Sequence, residues 1–192
     1  MKTRLFPGLV LVLTLLFLGA VSGCLAAGPV ELSGRGGQTP VAFPLTSPEF
    51  AEGGDIPSVY TCDGEERSPA LRWSDPPAGT QSFALIADDP DLPGGTFTHW
   101  VLYNIPASTN ELPEGLQAGQ VGTSGNNDFG RTGYGGPCPP SGTHRYYFTL
   151  YALDLPSVDL TGNTISSQGG LRRAMQEHVL GRAQLMGRYS RK

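Results

Sequence analysis

Residues 82–91 read Ser-Phe-Ala-Leu-Ile-Ala-Asp-Asp-Pro-Asp and join an apolar segment to a polar end. The run from Ser82 to Ala87 is almost continuously apolar and is bounded by turn residues, which indicates a buried β-strand. Asp89-Pro90-Asp91 follows this strand. Since polar residues on loops are often positioned by a rigid scaffold for binding, the two carboxylates are candidate site residues. A plain turn is the alternative for this tripeptide taken alone.

Further short strands are predicted on both sides of this segment. Aromatic and β-branched residues favour a strand at 145–153, and a loosely alternating pattern that ends at Pro106 favours another at 97–105. Shorter extended segments are expected at 41–50 and 58–61, and a long polar loop region at 108–127. The 27 glycines and 17 prolines also indicate many turns. The domain is therefore predicted to be mostly antiparallel β.

The C-terminal region has a different pattern. After Gly169-Gly170, apolar residues recur at three- and four-residue spacing, at Leu171, Met175, Val179, Ala183 and Met186. This spacing predicts one amphipathic helix that packs on the sheet. Its arginines lie off the apolar stripe and are expected to face solvent, with a partner surface as the alternative.

The first 23 residues have the composition of an export signal. A positively charged start precedes an apolar run at 9–18 that is short for a membrane-spanning helix. Val21-Ser22-Gly23-Cys24 then matches a bacterial lipoprotein cleavage and lipidation site, with an ordinary secretory signal as the alternative. We therefore expect a signal peptide at 1–23, a flexible tether at 24–39 and a domain at 40–192, anchored to the bacterial cell envelope through lipid on Cys24.

The charge balance argues against some partners. The full chain has 13 basic and 17 acidic residues, and removal of residues 1–23 leaves 11 basic and 17 acidic ones, a formal net charge of −6. An acidic domain is a poor match for nucleic acid or for broad electrostatic binding to anionic lipid. Export also bears on Cys62 and Cys138, because an even pair in an oxidising compartment favours a disulfide. Two buried free thiols are the alternative.

Three polar groups lie at the edges of predicted strands. They are Asp89 with Asp91, His99, and His144-Arg145-Tyr146, and a loop of sequence Gly-Tyr-Gly-Gly-Pro-Cys-Pro-Pro at 133–140 accompanies them. A carboxylate beside an imidazole orients the ring and favours its protonated form. Glycine lets backbone N–H groups approach a ligand, so together these parts suit a small pocket for a phosphate-like anion.

Other interpretations use the same atoms. Either histidine alone would usually be a packed core residue. Two Asp and two His could bind a divalent metal, but no familiar metal-ligand spacing supports this, and no cofactor is expected. An Asp–His pair could act as a general base, but no G-x-S-x-G motif accompanies it and Cys138 is flanked by prolines.

These motifs resemble the phosphatidylethanolamine-binding protein family, in its bacterial and archaeal, Raf-kinase-inhibitor-like branch. The matching segments are 68–73, 77–83, 89–91, 99–106, 127–130, 133–140 and 144–146. The resemblance implies a large central antiparallel sheet packed with a smaller sheet, and a C-terminal helix. It also implies a pocket for phosphate or phosphorylethanolamine headgroups. The implied pocket residues are Asp89, Asp91, His99, His144 and Tyr146, with Gly135, Gly136 and Pro137 at its rim.

The expected function is that of a non-enzymatic, envelope-anchored binding protein for a small anionic or phosphorylated ligand. A protein-interaction module that inhibits a protease or a kinase-like partner is the first alternative. An enzyme that uses the Asp–His pair is the second. The family resemblance alone does not choose among them, because one scaffold can serve several roles.

Overall fold

The computed structural model describes residues 39–160 and 167–191, which form two β-sheets, an α-helix and a short 3₁₀ helix. The predicted signal peptide, Cys24 and nearly all of the predicted tether lie outside the described residues. Within them, no helix is long and apolar enough to cross a membrane. The elements are β1 Val41–Ala42, β2 Leu45–Thr46, the 3₁₀ helix Ser58–Tyr60, β3 Leu71–Trp73, β4 Ser82–Asp89, β5 Phe97–Pro106, β6 Glu111–Leu112, β7 Thr123–Ser124, β8 Thr143–Leu153, α1 Ser167–Met175 and β9 Val179–Ser190.

The larger sheet has six described strands in the order β1-β9-β8-β4-β5-β7, and the smaller one has the order β2-β3-β6. All neighbouring strands run antiparallel except β1 and β9, which run parallel. The predicted mainly antiparallel fold with a large and a small sheet is confirmed.

The central strand β4 is covered on both faces. Phe83, Leu85 and Ala87 pack in the core between the two sheets, whereas Ala84 and Ile86 belong to the core that includes helix α1. A strand that is buried on both faces needs apolar residues at every position, which explains the continuous apolar run.

The predicted C-terminal helix is present but much shorter than expected. Helix α1 ends at Met175, and Val179–Ser190 forms strand β9, so the extension of the helix to Met186 is wrong. The four-residue spacing from Met175 to Ala183 is also an even spacing, which a strand satisfies equally well. Gly181 permits close packing within this strand, because a Cβ there would lie 2.8 Å from the carbonyl oxygen of Val41 in β1.

Two smaller expectations also changed. The segment 58–61 is not extended but contains a 3₁₀ helix, in which the Thr61 N–H donates to the Ser58 carbonyl at 3.0 Å. The long loop region at 108–127 contains the two-residue strands β6 and β7. Both are short edge strands, which carry too few residues for an alternating pattern to be visible.

Candidate functional site

His99 lies at a bulge in strand β5. Ala87 pairs with Trp100 but the next residue, Asp88, pairs with Thr98, so β5 has one extra residue at this point. A bulge changes the direction of side chains next to it. Trp100 therefore packs in the core between the sheets, and the preceding His99 ring also lies on this side, 5.1 Å from the Tyr146 ring centroid. The bulge thus brings His99 into the candidate site.

Asp89 and His144 form a buried pair. Their strands β4 and β8 are neighbours, and the His144 Nδ1 lies 2.7 Å from Oδ2 of Asp89. Because the carboxylate accepts, the Nδ1 of the ring donates. The other carboxylate oxygen accepts the N–H of Asp91 at 2.8 Å, and Asp89 is only 1% exposed. A buried carboxylate needs such partners, and here both of its oxygens have one.

His99 is fixed by the glycine-rich loop. Its Nδ1 donates to the carbonyl of Gly135 at 2.8 Å, while the Gly135 N–H donates to the His99 carbonyl at 2.8 Å. Burial lowers the pKa of His99 below its ordinary value of 6.5, against the opposing effects of the nearby Gly135 and Gly136 carbonyls and the Asp89 carboxylate. Both site imidazoles are thus anchored through Nδ1.

Tyr146 completes the buried group. It lies two residues after His144 on β8 and therefore on the same face of the sheet. Its hydroxyl is buried and makes no hydrogen bond of ordinary length to the described residues, although the Asp89 carboxylate and the Cys138 backbone lie near it. Burial, and then the charge of the nearby Asp89 carboxylate, raise the pKa of Tyr146 well above its ordinary value. Buried hydroxyls are nearly always hydrogen-bonded at ordinary length, so the geometry around this group is unusual.

Asp91 lies beside the site, but its carboxylate accepts its hydrogen bonds from Arg145 and not from a histidine. Arg145 binds it instead, with its backbone N–H at 2.9 Å and its Nε at 3.0 Å from Oδ2. These hydrogen bonds lower the pKa of Asp91 to about 2. The two acids therefore have different roles. Asp89 orients the His144 ring, and Asp91 fixes the backbone of Arg145, the residue after His144.

The rim residues Gly135, Gly136 and Pro137 lie next to His99, but not as an anion cradle. The Gly135 N–H is taken by His99, the Gly136 N–H donates to Oε1 of Glu66 at 3.3 Å, and proline has no N–H. The expectation that loop amides bind the anion is therefore not supported by this geometry. The glycines serve close packing instead, because a Cβ on Gly136 would lie 2.8 Å from the Tyr60 carbonyl oxygen.

A disulfide fixes this loop to the rest of the domain. Cys62 and Cys138 are bonded, with their Cα atoms 5.4 Å apart, as predicted. In addition, the Cys62 N–H donates to the Pro137 carbonyl at 3.1 Å. The wall of the site next to His99 is thus held by both a covalent bond and a backbone hydrogen bond.

Three residues at the rim were not identified from the sequence. Phe129 is 40% exposed, and its ring centroid lies 5.3 Å from that of His99. The Arg131 guanidinium lies over the Phe129 ring at 5.2 Å, and it donates to both carboxylate oxygens of Glu66 at 2.8 Å. Phe129 lies in the matched segment 127–130, but no chemical signal in the sequence places it beside a histidine. In the described ranges 39–160 and 167–191, no three His, Cys, Asp or Glu residues are grouped to hold a metal ion.

Comparisons with known proteins agree with this fold. The family model described as phosphatidylethanolamine-binding protein matches residues 46–190. A UPF0098 protein of Aquifex aeolicus is 48% identical over 150 residues, which cover 76% of this chain and 86% of the relative. A UPF0098 protein of Methanothermobacter thermautotrophicus is 48% identical over 151 residues, covering 77% and 98%. The chain therefore belongs to the phosphatidylethanolamine-binding protein family.

Solved structures show the same similarity. The crystal structure of a phosphatidylethanolamine-binding protein homologue from Chlamydia trachomatis is 39% identical with a TM-score of 0.71, and the match covers 79% of this chain and 99% of that one. The crystal structure of Escherichia coli YbcL is 32% identical with a TM-score of 0.71, covering 78% and 99%.

Proposed function

We propose that this protein is a non-enzymatic binding protein for a small anionic or phosphorylated ligand, such as phosphate or a phosphorylethanolamine headgroup. We further propose that lipid on Cys24 holds it at the bacterial cell envelope. The observation that supports the ligand most directly is the buried Tyr146 hydroxyl, which makes no hydrogen bond of ordinary length to the described residues and lies beside Asp89, the Cys138 backbone and His99. Its partner in this proposal is an oxygen of the ligand.

The two imidazoles supply the remaining contacts. Because each ring is anchored through Nδ1, each Nε2 can donate to an anion when the ring is protonated or accept from a protonated phosphate when it is neutral. The negative charge of Asp89 offsets positive charge on the rings, so we expect modest but selective affinity. Burial strengthens each hydrogen bond to the ligand because the local dielectric constant is low.

The proposal of binding without catalysis rests on the surroundings of the two rings. Their hydrogen bonds to described residues go to a carboxylate and a backbone carbonyl, and neither group is an alcohol or thiol nucleophile. The Cys138 sulfur is in the disulfide. Turnover of a phosphoester by the wild-type protein would contradict this part of the proposal.

Tyr146→Phe tests the site directly. We expect the dissociation constant for phosphate to rise about tenfold, the lower end of the range for one hydrogen bond to a charged group. The free energy of unfolding is expected to stay the same or increase, because the buried hydroxyl that is removed makes no hydrogen bond of ordinary length. Isothermal titration calorimetry and urea unfolding measure the two quantities.

Tyr147→Phe is the matched control, because Tyr147 is the next residue of β8 and points to the opposite face of the sheet. It is expected to leave phosphate affinity unchanged. Equal phosphate affinity in the Tyr146→Phe variant and the wild-type protein would remove the support for this site.

Anion binding is also expected to depend on pH. Sulfate affinity should increase as the pH falls from 7.5 to 5.5, because sulfate keeps its charge over this range while the His99 imidazole gains protons. The lowered pKa of His99 places its own protonation in the free protein below pH 6.5. Calorimetry with sulfate at constant ionic strength measures this trend, and His99→Gln is expected to make it shallower. A sulfate affinity that is independent of pH would contradict a role for the imidazoles.

The same pKa shift affects folding. Since folded His99 binds protons less readily than the unfolded chain, its contribution to stability is fully present above pH 6.5 and is lost as the pH falls below that value. An anion that binds the protonated ring opposes this loss. Sulfate is therefore expected to stabilise the protein more at pH 5.5 than at pH 7.5.

A further inference from the structure

Phe129 is exposed in an unusual position. Among the described residues, the large hydrophobic side chains that are exposed are Phe129 and Val41. Val41 lies on the short edge strand β1, whereas Phe129 lies at the rim of the candidate site. Single exposed hydrophobic residues are common, so exposure alone does not indicate a role.

The ring of Phe129 is held in place although it is exposed. Its backbone belongs to a turn in which the Asn127 side-chain oxygen accepts the N–H of Phe129 at 3.1 Å and that of Arg131 at 3.3 Å. The Asn127 side-chain amide donates to the Gly133 carbonyl at 3.0 Å, which ties the turn to the glycine-rich loop. The Arg131 guanidinium, fixed by Glu66, covers the ring. An exposed side chain that is fixed in this way is preorganised for contact.

The position of the ring suits contact with a ligand. The Phe129 ring centroid lies 4.8 Å from that of Phe97 and 5.3 Å from that of His99. Its edge lies against Gly135, where a Cβ would be 2.5 Å from Cδ2 of Phe129, so only glycine allows this approach. Two phenylalanine rings therefore form an apolar wall beside one of the imidazoles that we assign to anion binding.

We propose that Phe129 selects the ligand, and that the site prefers phosphate esters, whose organic substituent packs on the rings of Phe129 and Phe97, over inorganic phosphate. This inference rests on the proposed function. Inorganic phosphate offers no carbon atoms to this wall, whereas the ester carbons of either an aryl phosphate or a phospholipid headgroup do. Because the Arg131 guanidinium already lies over the Phe129 ring, an apolar or aromatic substituent suits this wall better than a second cation.

Calorimetry with three probes tests the inference. Phenyl phosphate, O-phosphorylethanolamine and inorganic phosphate are titrated into the wild-type protein and into Phe129→Ala, Phe129→Tyr and Val41→Ala variants. We expect the wild-type protein to prefer phenyl phosphate to inorganic phosphate about fivefold, the size of one aromatic contact. Phe129→Ala should reduce this ratio to about one, while Phe129→Tyr, which keeps the ring, and Val41→Ala should preserve it.

The possible results distinguish failure of the proposed role of Phe129 from failure of anion binding itself. A preference that is unchanged in Phe129→Ala, or a wild-type protein that binds the three probes equally, overturns the role of Phe129 and leaves anion binding in place. Failure of the wild-type protein to bind any probe overturns the proposed function and this inference together. If the role of Phe129 holds, the stronger of the two ester probes indicates whether an aromatic phosphate or a lipid headgroup is the better model of the ligand.

Discussion

Removal of the Cys62–Cys138 disulfide is expected to lower the free energy of unfolding by about 4 kcal/mol, the chain-entropy value for a loop of this length. The bond joins residues that are 76 positions apart, so the unfolded chain loses much conformational freedom when it is closed. The Cys62→Ala/Cys138→Ala double variant should therefore unfold at a clearly lower urea concentration. Phosphate affinity should also fall, because only the backbone hydrogen bond from residue 62 to the Pro137 carbonyl then holds the loop that carries Gly135 against His99.

Reduction of the wild-type protein provides the matched control. The reduced wild-type protein and the double variant should unfold at similar urea concentrations, which excludes a packing effect of the alanines. A loss of stability below about 1 kcal/mol in both would show that the unfolded chain gains little freedom when the bond is removed. Unchanged phosphate affinity in the folded double variant would show that the loop keeps its position without the bond.

The fold could be predicted from the sequence where the spacing of apolar residues fitted only one kind of secondary structure. The segment from Ser82 to Ala87 is short and almost continuously apolar, which fits a strand in a sheet covered on both faces. The segment after Met175 shows the opposite case, because a four-residue spacing fits both a helix and a strand. Gly181 and Gly187 lie within this segment and favour the strand, since glycine disfavours a helix interior and, in a strand, permits close approach of a neighbour. A Cβ on Gly187 would lie 2.5 Å from Cγ1 of Ile56.

The candidate site was only partly predictable, and the reason is geometric. Strict alternation along β5 would place His99 and Trp100 on opposite faces of the sheet, and the bulge that brings them to the same side depends on pairing with β4. The partners of the loop amides also depend on the fold. A glycine-rich sequence indicates that the backbone can approach another group closely, but it does not identify that group. Here Gly135 lies against Phe129 and Gly136 lies against Tyr60.

The two acidic residues at the end of β4 serve opposite faces of the sheet. Asp88 bonds to Arg172 of helix α1 at 3.0 Å, while Asp89 bonds to His144 at 2.7 Å. Burial raises the pKa of Asp88, and the Arg172 charge opposes this shift. One strand thus carries a carboxylate that attaches the helix and, at the next position, a carboxylate that orients the site. Substitution of each aspartate by asparagine should therefore affect a different property: stability for Asp88 and phosphate affinity for Asp89.

Asp89→Asn is expected to weaken phosphate binding about 10- to 100-fold, which corresponds to the loss of a charge-assisted hydrogen bond of about 1.5–3 kcal/mol. The asparagine oxygen can still accept the N–H of Asp91, so the β4 end should keep its conformation. The amide NH2 group then faces the Nδ1 of His144, and because this group only donates, it cannot accept the proton of the ring. Calorimetric titration with phosphate measures the change.

The direction of the change is decisive, because removal of a negative charge near an anion should by itself strengthen binding. Tighter phosphate binding in Asp89→Asn would therefore mean that the carboxylate only repels the ligand and does not act through His144. Asp88→Asn, which alters the adjacent carboxylate on the other face, is expected to lower stability without changing phosphate affinity. Weaker binding in Asp89→Asn with unchanged binding in Asp88→Asn would assign the effect to orientation of the imidazole rather than to the charge of the strand.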